Sequence, residues 1–297
     1  MSQLENILQN NPWKSCAQDW KADLLNHVER DYILDGDRTI IDSENRMATG
    51  NRTQFALQTK LPPQPFIGNP KAKVWLLQYN PGYSGIVDEY DLLGKDCDGR
   101  FKRKLVPNRD FKERVDLVVN QYSFRNSEFY ALNEKFHTFK TGTRGQGRGI
   151  YLWYKSLLFP SKGGLFSHLE VWEQKSFLDD NLFVLEYMPY HSKSFDASCF
   201  AFLSSFKFWE ELIDYAFESD KILLVNGRNS RGGCYLKSME GYKKAFSEKR
   251  IYEIKRAGNG RSKMRLIKDK TIDYSGPLKT FIEDAKCCSK GFARTEV

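Results

Sequence analysis

Three stretches put hydrogen-bonding side chains directly after apolar runs, where strands would deliver them to one edge of a sheet. The first is Asn80-Pro81-Gly82-Tyr83-Ser84, which follows Val74-Trp75-Leu76-Leu77. An amide, a phenol and a hydroxyl in a proline-stiffened turn are costly to bury and useful to expose. Asn80 can orient a water or cap its own turn. Tyr83 can wall a pocket or sit as an ordinary half-buried turn residue. Pro81 and Gly82 let the backbone come close to a ligand. The second stretch, "NLFVLEYMPY", carries Glu186 and Tyr187, with Tyr190 and His191 close behind. A carboxylate accepts hydrogen bonds and cannot donate them, so Glu186 either meets a donor on a ligand or pairs with an arginine. A lone histidine such as His191 is more often a hydrogen-bonded structural residue than a catalyst. The third, "AGNGRSKM", holds Asn259, Arg261 and Lys263, either as a working loop or as a basic hairpin.

Two further basic stretches stand beside these. "VNGRNSRGG" contains Arg228, suited to a phosphate or to a plain strand-to-helix connection. "GTRGQGRG" contains Arg144 and Arg148, with Tyr151 and Trp153 just after it as rings on which a base could stack. No strong strand precedes that glycine-arginine loop and no GK[ST] follows, which excludes a phosphate-binding P-loop.

The elements that must hold these residues alternate in type. Strands are expected at 74–77, 181–190, 221–227 and 250–260, and apolar-periodic helices at 150–159, 198–217 and 233–248. Strands alternating with helices predict an α/β fold with a parallel sheet, and ligands of such sheets bind at the carboxyl edge. Residues 3–34 read as mainly helical, broken at Pro12. The segment 61–70 holds four prolines and reads as irregular. Residues 85–149 are long, charged and poor in strand signal, an insertion supplying binding surface. The expected organisation is a helical N-terminal segment over 1–60, packed on an α/β domain over 61–297.

An excess of 46 Lys+Arg over 38 Asp+Glu gives a net charge of +8. That balance favours an anionic partner, nucleic acid first. The basic residues interleave with glycine at 140–149 and 255–270, as loops lying along phosphates would require. The six cysteines form no CxxC pair and the four histidines are scattered. No metal and no cofactor are expected, and reduced cytoplasmic thiols are the simplest reading. No apolar run reaches the roughly 20 residues of a membrane span, and the N-terminus lacks a signal-peptide pattern. No membrane or protein partner is expected.

The hydrophobic strand ending in Asn-Pro-Gly resembles the first motif of the uracil-DNA glycosylase superfamily, where "GINPG"-like or "GEAPG"-like turns follow the first core strand. The order "LLQYNPGYS", "FVLEYMPYHS", "ILLVNGRNS" and a final strand with its loop extends the resemblance over residues 66–268. It implies a central parallel four-stranded sheet flanked by helices and a monofunctional DNA glycosylase that hydrolyses the N-glycosidic bond of a flipped base, leaving an abasic site. Asn80 falls at the water-positioning place, and Tyr83 where relatives wall the pocket near the pyrimidine C5. Relatives end the second strand with an asparagine that reads uracil; here Glu186 stands at or next to that position. A carboxylate accepts from a cytosine amine, which points to a modified cytosine-type base. Tyr187, Tyr151 and Trp153 are the accompanying substrate contacts, and Arg144, Arg148, Arg228, Arg261 and Lys263 the DNA contacts. Many relatives carry a histidine-led "HPSP" loop after the last strand. This chain has none, and Asn259 heads the counterpart loop. Some relatives are defence enzymes that remove hypermodified phage bases, and the large insertion leaves room for one. The alternative is a catalytically inactive nucleic-acid-binding module of the same fold.

Overall fold

The computed structural model describes residues 2–26, 28–79, 108–123, 171–194, 200–226, 231–256 and 264–265. Its centre is a mixed sheet in the order β1-β3-β2-β4-β5-β6. Strands β2 (Val74–Gln78), β3 (Leu182–Glu186), β4 (Ile222–Asn226) and β5 (Ile251–Arg256) run parallel. Val74 to Leu77, Leu182 to Leu185 and Ile222 to Val225 are wholly buried. Unbroken apolar runs of this kind belong to a sheet covered on both faces.

The strictly four-stranded parallel sheet needs correction, because an antiparallel strand flanks each side. β1 (Phe66–Gly68) pairs with β3, and β6 (Met264–Arg265) pairs with β5. β1 lies inside the proline-rich segment read as irregular. Proline has no N–H for a ladder, so such a segment can form only a short edge strand, and that is where β1 sits.

The N-terminal segment is helical as expected, with α1 (Gln3–Gln9), α2 (Trp13–Leu25) and, beyond the expected limit, α3 (Arg38–Met47). Ser2 and Glu5 close a reciprocal capping box on α1. Further on come α4 (Asn108–Asn120) and α5 (Val171–Asn181), neither foreseen, then α6 (Phe206–Glu218). α6 buries Phe206, Phe208, Trp209, Leu212, Ile213, Ala216 and Phe217. The helix expected over 233–248 is two, α7 (Arg231–Ser238) and α8 (Tyr242–Ser247). They part at Gly241, where a Cβ would lie 2.5 Å from the Phe217 Cβ, so the turn approaches α6 too closely for a side chain.

Arg250 anchors the end of α6, donating to the carbonyls of Ala216, Phe217 and Lys221 at 3.2, 2.7 and 3.0 Å. At the amino end of β4, Lys221 Nζ donates to the Lys71 and Ala72 carbonyls at 2.9 and 2.8 Å. Burial pulls its pKa down to about 8. Both cations serve the frame at the end of the sheet away from the carboxyl edge.

Candidate functional site

The order of the parallel strands fixes where a ligand crevice can open. The connection leaving β2 leads to β3 on one side, and the connection leaving β4 leads to β5 on the other. The direction of connection thus reverses between β2 and β4, the topological switch point of the sheet. Gln78 and Asn226 close those two strands, and Glu186 closes β3.

Gln78 and Glu186 are register partners on the parallel β2–β3 ladder. Alternation along the strands sets them on the face that carries Val74, Leu76, Leu182 and Val184. An apolar face thus ends in a polar pair, 1% and 3% exposed. Oε2 of Glu186 is buried with no hydrogen-bond partner among the described residues. No arginine pairs with it there, which removes the ion-pair reading within those residues. Desolvation alone pushes its carboxyl well above the usual carboxylate range. The protonated acid that burial favours has one donor and one acceptor, where a carboxylate would have acceptors only.

The chain beyond Glu186 is held on both sides. Tyr187 N donates to Gln78 O at 2.8 Å and Met188 N to Tyr79 O at 2.9 Å. The N-terminal segment splints the other side. Glu186 N donates to Pro65 O at 2.8 Å, Gln64 N to Pro189 O at 2.7 Å, and Gln58 N to His191 O at 2.8 Å. The His191 ring lies 3.2 Å from Pro62 O and is 2% exposed, a structural histidine. Tyr190 donates to Asp37 at 2.9 Å and packs edge-on against Trp13.

Tyr187 stands apart from Glu186. Its ring lies 5.2 Å from Trp209 and 5.8 Å from Phe200, in an aromatic cluster on the α6 side of the sheet. Burial raises its phenol pKa, and the hydroxyl has no partner among the described residues. The crevice beside it, lined by Trp13, Pro65, Glu186, Tyr187, Phe206 and Trp209 among others, encloses about 10 Å³. Among the described residues that is the space of about one water molecule, on the α6 side of the sheet and not on the face that carries Gln78 and Glu186.

Of the residues singled out in the sequence, Asn80, Tyr83, Arg144, Arg148, Tyr151, Trp153, Arg228, Asn259, Arg261 and Lys263 lie outside the described residues. Asn80 follows Gln78, the end of β2, by two positions. Sequence reasoning passed over two groups. Gln78 was legible as the polar end of an apolar run. Gln121, in the 3-10 turn Gln121–Ser123 after α4, gave no signal, yet it is 1% exposed with both amide atoms unpartnered among the described residues. Among the described residues no group of His, Cys, Asp and Glu is disposed to hold a metal, and no helix is long and apolar enough to cross a membrane.

No family model matches the chain, and no curated protein or solved structure matches it.

Proposed function

We propose that this chain is a monofunctional DNA glycosylase that hydrolyses the N-glycosidic bond of a flipped, modified cytosine-type base. One observation carries the reading. A buried carboxyl with an oxygen unpartnered among the described residues closes β3 at the carboxyl edge, next to the strand that leads into Asn80. Keeping such a group costs about 1–3 kcal/mol when it stays unsatisfied. A ligand that supplies its missing partner accounts for that cost. The edge of a cytosine-type base does so, with an amine to donate and a ring nitrogen to accept. The net charge of +8 suits a polyanionic substrate.

In this reading water adds at C1′ of the sugar while the bond to the base breaks, and the phosphates stabilise the cationic sugar between them. Asn80 orients the water through its amide. Arg144, Arg148, Arg228, Arg261 and Lys263 bind phosphates, and Tyr83, Tyr151 and Trp153 enclose the flipped base. Flipping costs a few kcal/mol, offset by stacking in the pocket. The setting that fits a modified cytosine is defence against DNA carrying such bases.

The test is incubation with duplexes carrying a panel of modified and unmodified pyrimidines, followed by hot alkali to cut at abasic sites. Cleavage at a modified cytosine is the expected result. Duplex binding with no abasic site on any member would identify an inactive binding module instead.

A further inference from the structure

We propose that Glu186 is the general acid of base release, handing its proton to the ring N3 of the flipped cytosine-type base as the glycosidic bond breaks. This rests on the glycosylase reading and assigns the reacting group within it. The carboxyl is 3% exposed, closes a core strand, and has an oxygen without a partner among the described residues. Its backbone is fixed by the bond from Glu186 N to Pro65 O at 2.8 Å and the one from Tyr187 N to Gln78 O at 2.8 Å. A rigid strand end therefore carries the acid rather than a loop.

Among the described residues, the groups around it leave the proton in place. At this end of the sheet β1 presents Gln64 and Pro65, β2 presents Gln78 and Tyr79, β3 continues into Tyr187, and β4 ends in Val225 and Asn226. None of these is charged except by ionisation of a phenol. The carboxylates of α5, Asp179 and Asp180, sit where that helix enters the opposite end of β3. On the other face, α6 packs Phe206 and Trp209 against Tyr187 and Phe200. Burial then favours the acid form of the carboxyl over the carboxylate.

Cytosine offers a lone pair at N3 beside its amine at N4, so the acid O–H donates to N3 while the carbonyl oxygen accepts from N4. Proton transfer to N3 makes the base cationic. When the bond from N1 to C1′ breaks, its electron pair stays on N1 and the base departs neutral rather than as an anion. The water oxygen bonds to C1′, and the proton that water sheds restores the Glu186 carboxyl. One water is consumed, and one free base and one abasic sugar are formed. Uracil already carries hydrogen on N3 and cannot take this proton. The absence of a histidine from the loop after β5 follows, because a neutral leaving base needs no cation beside it. His191 is in any case committed to Pro62.

The experiment is single-turnover base release from duplexes carrying cytosine, 5-methylcytosine, 5-hydroxymethylcytosine or uracil, comparing wild type with Glu186→Gln. The amide keeps a donor and an acceptor but has no proton to transfer. Release of the cytosine-type base is expected to fall by about 10²-fold or more. Affinity for the same duplex with a 2′-fluoro sugar, which resists cleavage by disfavouring the cationic sugar, is expected to change by less than about threefold. Uracil release is expected to be absent in wild type. As a second measurement, the wild-type rate is expected to fall as pH rises and the acid ionises.

Cytosine release retained in Glu186→Gln, or lost only in parallel with affinity, would overturn the general-acid role and leave the glycosylase reading standing. A wild-type rate flat from about pH 5 to 9 would do the same, even if the variant failed to fold. Failure of wild type to release any of the bases would overturn both.

Discussion

Asp37 and Glu186 are both buried carboxyls, 0% and 3% exposed, yet only the first is surrounded by donors. Asp37 accepts from Ser204 N at 2.6 Å, Ser204 Oγ at 2.7 Å, Ser205 Oγ at 3.0 Å and Tyr190 Oη at 2.9 Å. It sits where α6 begins, so its charge also meets the positive end of a helix. Gly36 lets it come that close, since a Cβ there would lie 2.5 Å from Ser204 Oγ. Glu186 has burial without such partners. A saturated carboxyl holds the N-terminal segment, α6 and the chain after β3 together. An unsaturated one contributes nothing comparable to the fold, and the proposed function gives it a ligand.

Removing the clasp and removing a proposed reacting group should therefore fail in opposite ways. Asp37→Ala strips several buried donors of their acceptor at about 1–3 kcal/mol each, so a loss of about 3–5 kcal/mol is expected in denaturant unfolding. A loss under about 1 kcal/mol would show that Asp37 is no clasp. Asn80→Ala should cut base release by on the order of 10²-fold, about 2.7 kcal/mol, with stability and duplex affinity nearly unchanged. Parallel losses of stability and activity would make Asn80 a turn cap.

The pH dependence sharpens the contrast further. The Glu186 pKa is raised in the folded state, so above the ordinary carboxyl range the unfolded chain binds fewer protons than the folded one. Stability then falls as pH rises from there toward the folded-state pKa, by at most about 1.4 kcal/mol per pH unit for one proton. Glu186→Gln should lack this slope, and unfolding of both proteins across pH 4 to 8 measures it. An identical pH dependence would place the carboxylate, not the acid, in the folded protein. The smallest effect is expected at Gln121, whose amide atoms have no partner among the described residues. Gln121→Leu should leave stability unchanged or raise it by up to about 1 kcal/mol, whereas a loss above about 2 kcal/mol would reveal a structural partner.

β2, β3 and β4 were legible because each is an apolar run ending in a polar residue, as in Val74-Trp75-Leu76-Leu77-Gln78, and β5 because its apolar and charged residues alternate. Glu186 was placed by the resemblance to a family motif, while the strand expected over 181–190 ends sooner, at Glu186 itself. The edge strand β1 was not legible, because the prolines on either side of it signal a break, and only pairing with β3 makes its three residues regular. Asp37 and Gln121 were equally silent. One draws its meaning from serines 167 and 168 residues away, the other from burial created by distant segments. The surroundings of Glu186 were not legible for the same reason, since an arginine partner and a ligand donor stood as equal alternatives in the sequence. A sequence rich in arginine argues for pairing, and only the packed sheet shows its carboxyl buried with an oxygen left over.

The measurement that tests the account most directly is the carboxyl-carbon NMR signal of Glu186, assigned by its disappearance in Glu186→Gln. At neutral pH the free protein should show the shift of a protonated acid. On binding a 2′-fluoro duplex with a modified cytosine, the signal should move toward that of a carboxylate as the proton is shared with the base. A carboxylate signal in the free protein would contradict the account.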